Sequence, residues 1–169
     1  SAEHDVRDFL LTEAAQAAAL QGTSGAPPTD EQLLVVGDGE GIAVSLYVDR
    51  AVLERLAERC PLRWLSDETL ADYCTALEGV SHFHYLVWSA VRARHVSLLE
   101  LELQAEVDKY ASALSLLLAQ RSGCFPADLF ERLFERATFL PGLAAEQRAR
   151  YEEAHRYAAR FCRRLEERF

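Results

Sequence analysis

Ser97-Leu98-Leu99-Glu100-Leu101-Glu102-Leu103-Gln104-Ala105-Glu106-Val107-Asp108-Lys109-Tyr110 is the stretch that decides the fold. Ser97 followed three residues on by Glu100 is a capping box, in which each side chain satisfies the other's free backbone N–H, so a helix opens here. The pattern predicts that it runs to about Arg121. At about 100° of turn per residue, Leu99, Leu103, Val107, Tyr110, Leu114 and Leu117 form one apolar stripe, and Leu98, Leu101, Ala105 and Leu116 a second. Glu102, Glu106 and Lys109 lie between the stripes, while Glu100, Gln104, Asp108 and Ser115 take the opposite, polar side. A plain surface helix would gather all its charges on that polar side. Lys109 is also the only lysine in the chain, arginine filling the other 17 of 18 basic positions.

The preceding helix explains why such charges would be tolerated. Ser66, with Asp67 and Glu68 in the first turn, predicts a helix from residue 66 to about Arg94. Its apolar face is Val80, Phe83, Leu86, Val87, Ala90 and Val91, with Glu78, His82, Tyr85, Ser89 and Arg92 opposite. Glu78 and His82 are four residues apart and therefore neighbours on one face. Two adjacent helices can turn Glu78 and His82 toward Glu102 and Glu106. Carboxylates among packing stripes are unfavourable unless paired or coordinated. Two main readings follow, with a small-ligand pocket as a third. In one, Lys109 bridges Glu102 or Glu106 in a buried ion-pair network or a subunit interface. In the other, Glu78, His82, Glu102 and Glu106 hold a divalent metal, with Lys109 or Tyr85 as a proton donor. The four-residue spacing of Glu78 and His82 differs from the Glu-x-x-His pairs of di-iron bundles. His84 and His155 read as satisfied core histidines, His155 with cluster membership as its alternative.

Working outward, Val6, Phe9, Leu10, Ala14, Ala17 and Leu20 predict an N-terminal helix over 1–21 that Gly22 stops. Residues 22–31, rich in Gly, Pro, Ser and Thr, read as a linker. Leu33–Val36 and Ile42–Val48 about Gly37-Asp38-Gly39-Glu40-Gly41 predict a β-hairpin over 32–48 whose Ile42, Val44, Leu46 and Val48 face must rest on helices. That glycine loop lacks the lysine and following helix of a phosphate-binding loop. Asp49 caps a short helix to about Glu58, and a further short helix carries Leu129, Phe130, Leu133 and Phe134. The last runs from about Ala144 with Tyr151, Ala154, Ala158, Phe161, Cys162, Leu165 and Phe169 on one stripe. The expected fold is mainly α: one domain over 1–169, a helical bundle of about five to six helices over 49–169 with one N-terminal β-hairpin packed against it.

Composition narrows the function classes. Residues 1–110 carry 19 acids and 8 bases, a charge of −11, whereas 111–169 carry 8 acids and 10 bases, a charge of +2. An acidic body argues against binding nucleic acid, which needs a basic face to displace counterions. The arginines of the last helix (Arg156, Arg160, Arg163, Arg164, Arg168) read as a solvated face with intrahelical ion pairs. No apolar run approaches the ~18 residues that span a bilayer, and the acidic N-terminus does not resemble a secretory signal, so no membrane partner and a cytoplasmic location are expected. Cys60, Cys74, Cys124 and Cys162 lack metal-ligand spacing and read as reduced, mostly buried thiols. Arginine in place of lysine and abundant alanine suggest a GC-rich bacterial source. There is no nucleophile elbow, HExxH, Walker sequence or dinucleotide fingerprint, and whether the chain is an enzyme stays open. The expected function is a non-enzymatic helical interaction or regulatory module that self-associates or binds a protein partner. The alternative is a metal-binding protein or metal-dependent enzyme built on the Glu/His cluster.

Overall fold

The computed structural model describes residues 5–21, 29–37, 42–139 and 142–168. A 3-10 turn (Val6–Phe9) leads into strand β1 (Leu10–Leu11) and helix α1 (Ala14–Gln21), then strands β2 (Glu31–Gly37) and β3 (Ile42–Val48). Helices α2 (Arg50–Glu58), α3 (Asp67–Val91) and α4 (Leu98–Gln120) follow, then a π turn (Glu131–Glu135) and α5 (Ala145–Glu166). The protein is mainly α, with a small sheet packed against the helices, as the hydrophobic periodicity predicted. The linker residues 22–28, the hairpin turn 38–41, Pro141 and Phe169 lie outside the described residues.

The N-terminal segment differs from its expected single helix over 1–21. Asp5 accepts from the Arg7 amide and caps only a four-residue 3-10 turn, and Leu10 and Leu11 leave the helical path. They pair in parallel with Leu46 and Tyr47, filling one edge of β3 while β2 pairs antiparallel on the other. The hairpin thus becomes a three-stranded sheet of order β1-β3-β2. Ladder bonds to β3 satisfy the segment's backbone as well as a helix would, and they seat Leu10 against Leu46, Val48 and Val52. Tyr47, on the other face, packs with Ala17 and Leu34. The sheet is covered only at this end, so Ile42, expected on the packed face, is 63% exposed. Strand β2 begins at Glu31, which the sequence left in the linker.

Cross-contacts fix the bundle's topology. Tyr73 Oη lies 2.6 Å from Ser112 Oγ and Ser81 Oγ donates to Asp108 Oδ2 at 2.6 Å, so α4 doubles back along α3. Contacts from α4 to α5 advance together, at Glu102–Arg150, Glu106–His155 and Tyr110–Glu166. Helix α5 therefore runs the same way as α4, and the described residues 121–139 lead back over the bundle. That crossover carries Leu129, Phe130 and Phe134 into the main core, with Leu65, Leu70, Tyr110, Ala113, Leu117, Ala158 and Cys162. Ala154 and Ala158, fully buried on α5, let the two helices approach closely. The capping box at Ser97 and Glu100 forms in full, and Asp49 caps α2 through the Ala51 amide.

Helix α3 departs from its expected two faces. Ser81, His82 and Ser89 are buried, while Val91 is 74% exposed. In its middle the helix is covered on one side by the sheet and α2 and on another by α4, so polar positions are enclosed. Its last turn overhangs the sheet and leaves apolar positions in solvent. The thiols also differ: Cys162 alone is buried, Cys60 and Cys74 are partly buried, and Cys124 is exposed, all four free.

Candidate functional site

Helix α4 delivers the central carboxylates because its innermost line is the one between its two leucine stripes. Glu102 and Ala113 are buried on that line, and Ala105, Tyr110 and Leu117 are buried on the inner flanks of the two stripes. The stripes themselves are used within the chain: Leu103, Val107, Leu114 and Leu116 pack against the main core. Helix α3 presents Glu78 and His82 to the same space, and α5 presents Arg150, Tyr151 and His155. The first residue of β2 supplies Glu31.

Lys109 sits between two carboxylates. Its Nζ donates to Glu78 Oε2 at 3.0 Å and ion-pairs with Glu106 Oε1 on the next turn of its own helix. Burial opposes the charge, yet Glu78 and Glu106 together raise the lysine above its ordinary pKa. Glu106 is engaged a second time by His155, whose Nδ1 lies 2.8 Å from Glu106 Oε2 and whose Nε2 lies 3.0 Å from the Phe134 carbonyl. Burial would raise the Glu106 carboxyl, but His155 and Lys109 hold it below the usual value. His155, by the Glu106 contact foremost, is raised in turn. Lys109, Glu106 and His155 thus form a closed chain of charge, with Glu78 at one end.

The neighbouring group is less well satisfied. His82 Nδ1 lies 3.6 Å from Glu31 Oε1 and Nε2 lies 3.5 Å from Glu102 Oε2. These separations are charge contacts, longer than good hydrogen bonds. Nε2 of His82 and Oε1 of Glu31 are buried with no hydrogen-bond partner, as is Nε of Arg150, 3.7 Å from Glu102 Oε1. Burial would depress the His82 imidazolium, but the Glu102 and Glu31 carboxylates, with Glu78 beyond, lift it to about 10. Burial raises the Glu31 carboxyl despite His82. One ligand atom from each of Glu78, His82 and Glu102 lies within 4.8 Å of the others.

A cavity of about 710 Å³ opens beside these groups. Glu31, Glu78, Glu102, Glu106, Lys109 and His155 line it, as do the apolar or aromatic Leu70, Leu133, Phe134, Phe139, Leu143 and Tyr151 and the charged Asp30, Asp67, Arg132 and Arg136.

Of the residues expected to converge, Glu78, His82 and Glu102 do so. Glu106 pairs with Lys109 and His155 instead. Tyr85 lies apart from them: its ring stacks on Trp88, with centroids 6.0 Å apart, and Arg94 lies over both rings. His84, expected in the core, is exposed. His155 reaches the cluster because Ala154 and Ala158 bring α5 close to α4. Glu31 and Arg150 were missed. No local pattern marks them, since Glu31 opens a strand from what reads as linker and Arg150 is one of seventeen arginines. The expected intrahelical pairs on α5 are present at Arg148–Glu152, Arg156–Glu153 and Arg163–Glu166.

The fold and site together define a mainly helical protein with a buried carboxylate–histidine cluster beside a cavity. No protein-family model matches the chain, and no curated protein or solved structure matches it. Among the described residues no helix is long and apolar enough to cross a membrane.

Proposed function

We propose that the protein binds a divalent transition-metal cation through Glu78, His82 and Glu102. The carrying observation is the approach of one donor atom from each residue to within 4.8 Å, with Nε2 of His82 buried and unbonded. Charge supports the choice of a cation. Glu106 is neutralised by Lys109 and His155, but Glu31, Glu78 and Glu102 share only a part of Lys109, a distant Arg150 and His82. A metal would replace the proton that His82 carries. Two carboxylates and one imidazole suit manganese, iron or zinc. Lys109 bonds one oxygen of Glu78, and a carboxylate has two. Glu31 beside Nδ1 would complete a carboxylate–histidine–metal relay, which orients the ring and raises its basicity.

Calorimetric titration of chelator-treated protein with Zn2+ and Mn2+, with a parallel thermal melt, tests this reading. A saturable 1:1 isotherm and a stabilisation of about 2.7 kcal/mol at a hundredfold excess over Kd are expected. His82→Gln should abolish both. Heat and stability unchanged by either metal would remove the proposal.

A second reading, an interaction module that self-associates, draws on exposed apolar side chains: Leu62, Trp64, Trp88, Val91 and Leu98. Most of the apolar surface of α4 is used within the chain, since Leu103, Val107, Leu114 and Leu116 pack against the main core, while Leu98 stays exposed. Sedimentation velocity across micromolar concentrations tests it, and a concentration-independent monomer counts against self-association.

A further inference from the structure

We infer that the Glu78–His82–Glu102 site is of the open, exchangeable kind and that the cavity beside it receives a small organic acid with an apolar body. This rests on the metal reading above. Two of the three donors, Glu78 and Glu102, line the 710 Å³ cavity, so coordination positions on that side face space rather than protein. Structural metal sites are closed by four protein ligands, whereas sites that exchange a ligand keep a position open. The cavity falls within the range of about 300–1,000 Å³ that holds a small molecule.

The metal selects the class of head group. A divalent cation held by two carboxylates and one imidazole takes a further oxygen donor in its open positions, and an acid head group supplies one. Arg132, also on the cavity wall, is already paired with Asp67 and Asp128. The walls select the body. Leu70, Leu133, Phe134, Phe139 and Tyr151 line the same cavity as the carboxylates, offering a ring or a short chain burial that water would not match. An oxygen-donor acid with its head on the metal and its apolar body against Phe134 and Phe139 satisfies both ends.

The test uses the Co2+-loaded protein, whose visible absorption reports coordination, titrated with benzohydroxamate and with acetohydroxamate. Benzohydroxamate should shift the cobalt bands saturably, and acetohydroxamate, lacking the ring, should bind at least about tenfold more weakly. Ala71→Trp places bulk on an exposed wall of the cavity. It should leave the cobalt bands intact and weaken benzohydroxamate at least about tenfold. Cobalt bands that neither hydroxamate moves would show a closed site and overturn this inference while the metal reading stood. Equal binding of the two probes would overturn the apolar receptor. Absence of any cobalt bands would overturn the metal reading and this inference together.

Discussion

The Glu31 carboxylate on β2 reaches within 3.6 Å of Nδ1 of His82 on α3 across a space that residue 79 leaves open. A Cβ on Gly79 would meet Glu31 Cγ at 2.7 Å and Leu46 Cδ1 at 2.6 Å. Glycine here serves a close approach of strand to helix, because its own φ is not in the left-handed region. Gly79→Ala should therefore lose about 1–3 kcal/mol to overpacking, less about 1 kcal/mol regained in helix propensity. Zn2+ affinity should fall about 10–100-fold as Glu31 is pushed from the ring, and Glu31→Gln should show the affinity loss with little change in stability. Urea unfolding and calorimetry read the two quantities separately. Wild-type zinc affinity in both variants would mean that Glu31 does not orient His82.

Lys109 neutralises two carboxylates on different helices, so its removal takes the ion-pair partner from Glu78 and leaves Glu106 with His155 alone. Lys109→Met keeps the aliphatic stem and leaves Glu78 and Glu106 without their shared ammonium. A loss of about 3–5 kcal/mol is expected, the penalty of an uncompensated buried charge. Adding Glu78→Gln to Lys109→Met should restore part of it, a coupling that a double-mutant cycle by urea unfolding measures. Strict additivity would mean that the 3.0 Å contact carries no net stabilisation.

Tyr85 offers a control on the site's boundary. Its partners are Trp88 and Arg94, at the solvent end of α3, and not the carboxylate cluster. Tyr85→Phe should change stability by no more than about 0.5 kcal/mol and leave zinc binding as it was. A weakened zinc isotherm would return Tyr85 to the cluster.

How far the sequence reached depends on what each residue needed from outside its own element. The α4 pattern placed Glu102 and Glu106 between two leucine ridges, and the fold makes that line the buried one, because α3 and α5 each take a ridge. Capping chemistry is local, so Ser97, Ser66 and Asp49 mark helix starts correctly. Sharing among the charges was not legible: whether Lys109 takes Glu102 or Glu78 depends on the stagger of α3 against α4, which no single helix encodes. The N-terminal segment failed for a related reason. Val6, Phe9 and Leu10 carry helical spacing, but the free edge of β3 competes for the backbone of Leu10 and Leu11, and that edge lies over thirty residues away. Glu31 could be found only from Gly79, a glycine inside a long helix that asks what approaches it.

His155 gives the bundle a pH dependence whose sign is fixed by its neighbours. The groups facing it are Glu106 and Lys109 from α4 and the Phe134 carbonyl from the π turn; Glu106 first, with the Phe134 carbonyl, raises its pKa above the ordinary 6.5 against burial and the Lys109 ammonium. A raised histidine stabilises the fold when protonated. Its contribution is complete below about pH 6.5 and is lost as pH rises through the higher folded-state value. His155→Gln removes the charge, so the stability gap between wild type and variant should be largest near pH 5.5 and shrink toward pH 9, from about 1.5–3 kcal/mol at its widest. Both ends lie above the ordinary carboxylate range and the partner Glu106 is held lower still, so it stays ionised throughout the comparison. Paired urea titrations at the two pH values decide it. A gap that widens with pH would mean His155 is held neutral, donating one N–H and accepting nothing from Glu106, and the charge chain from Lys109 would end at that carboxylate.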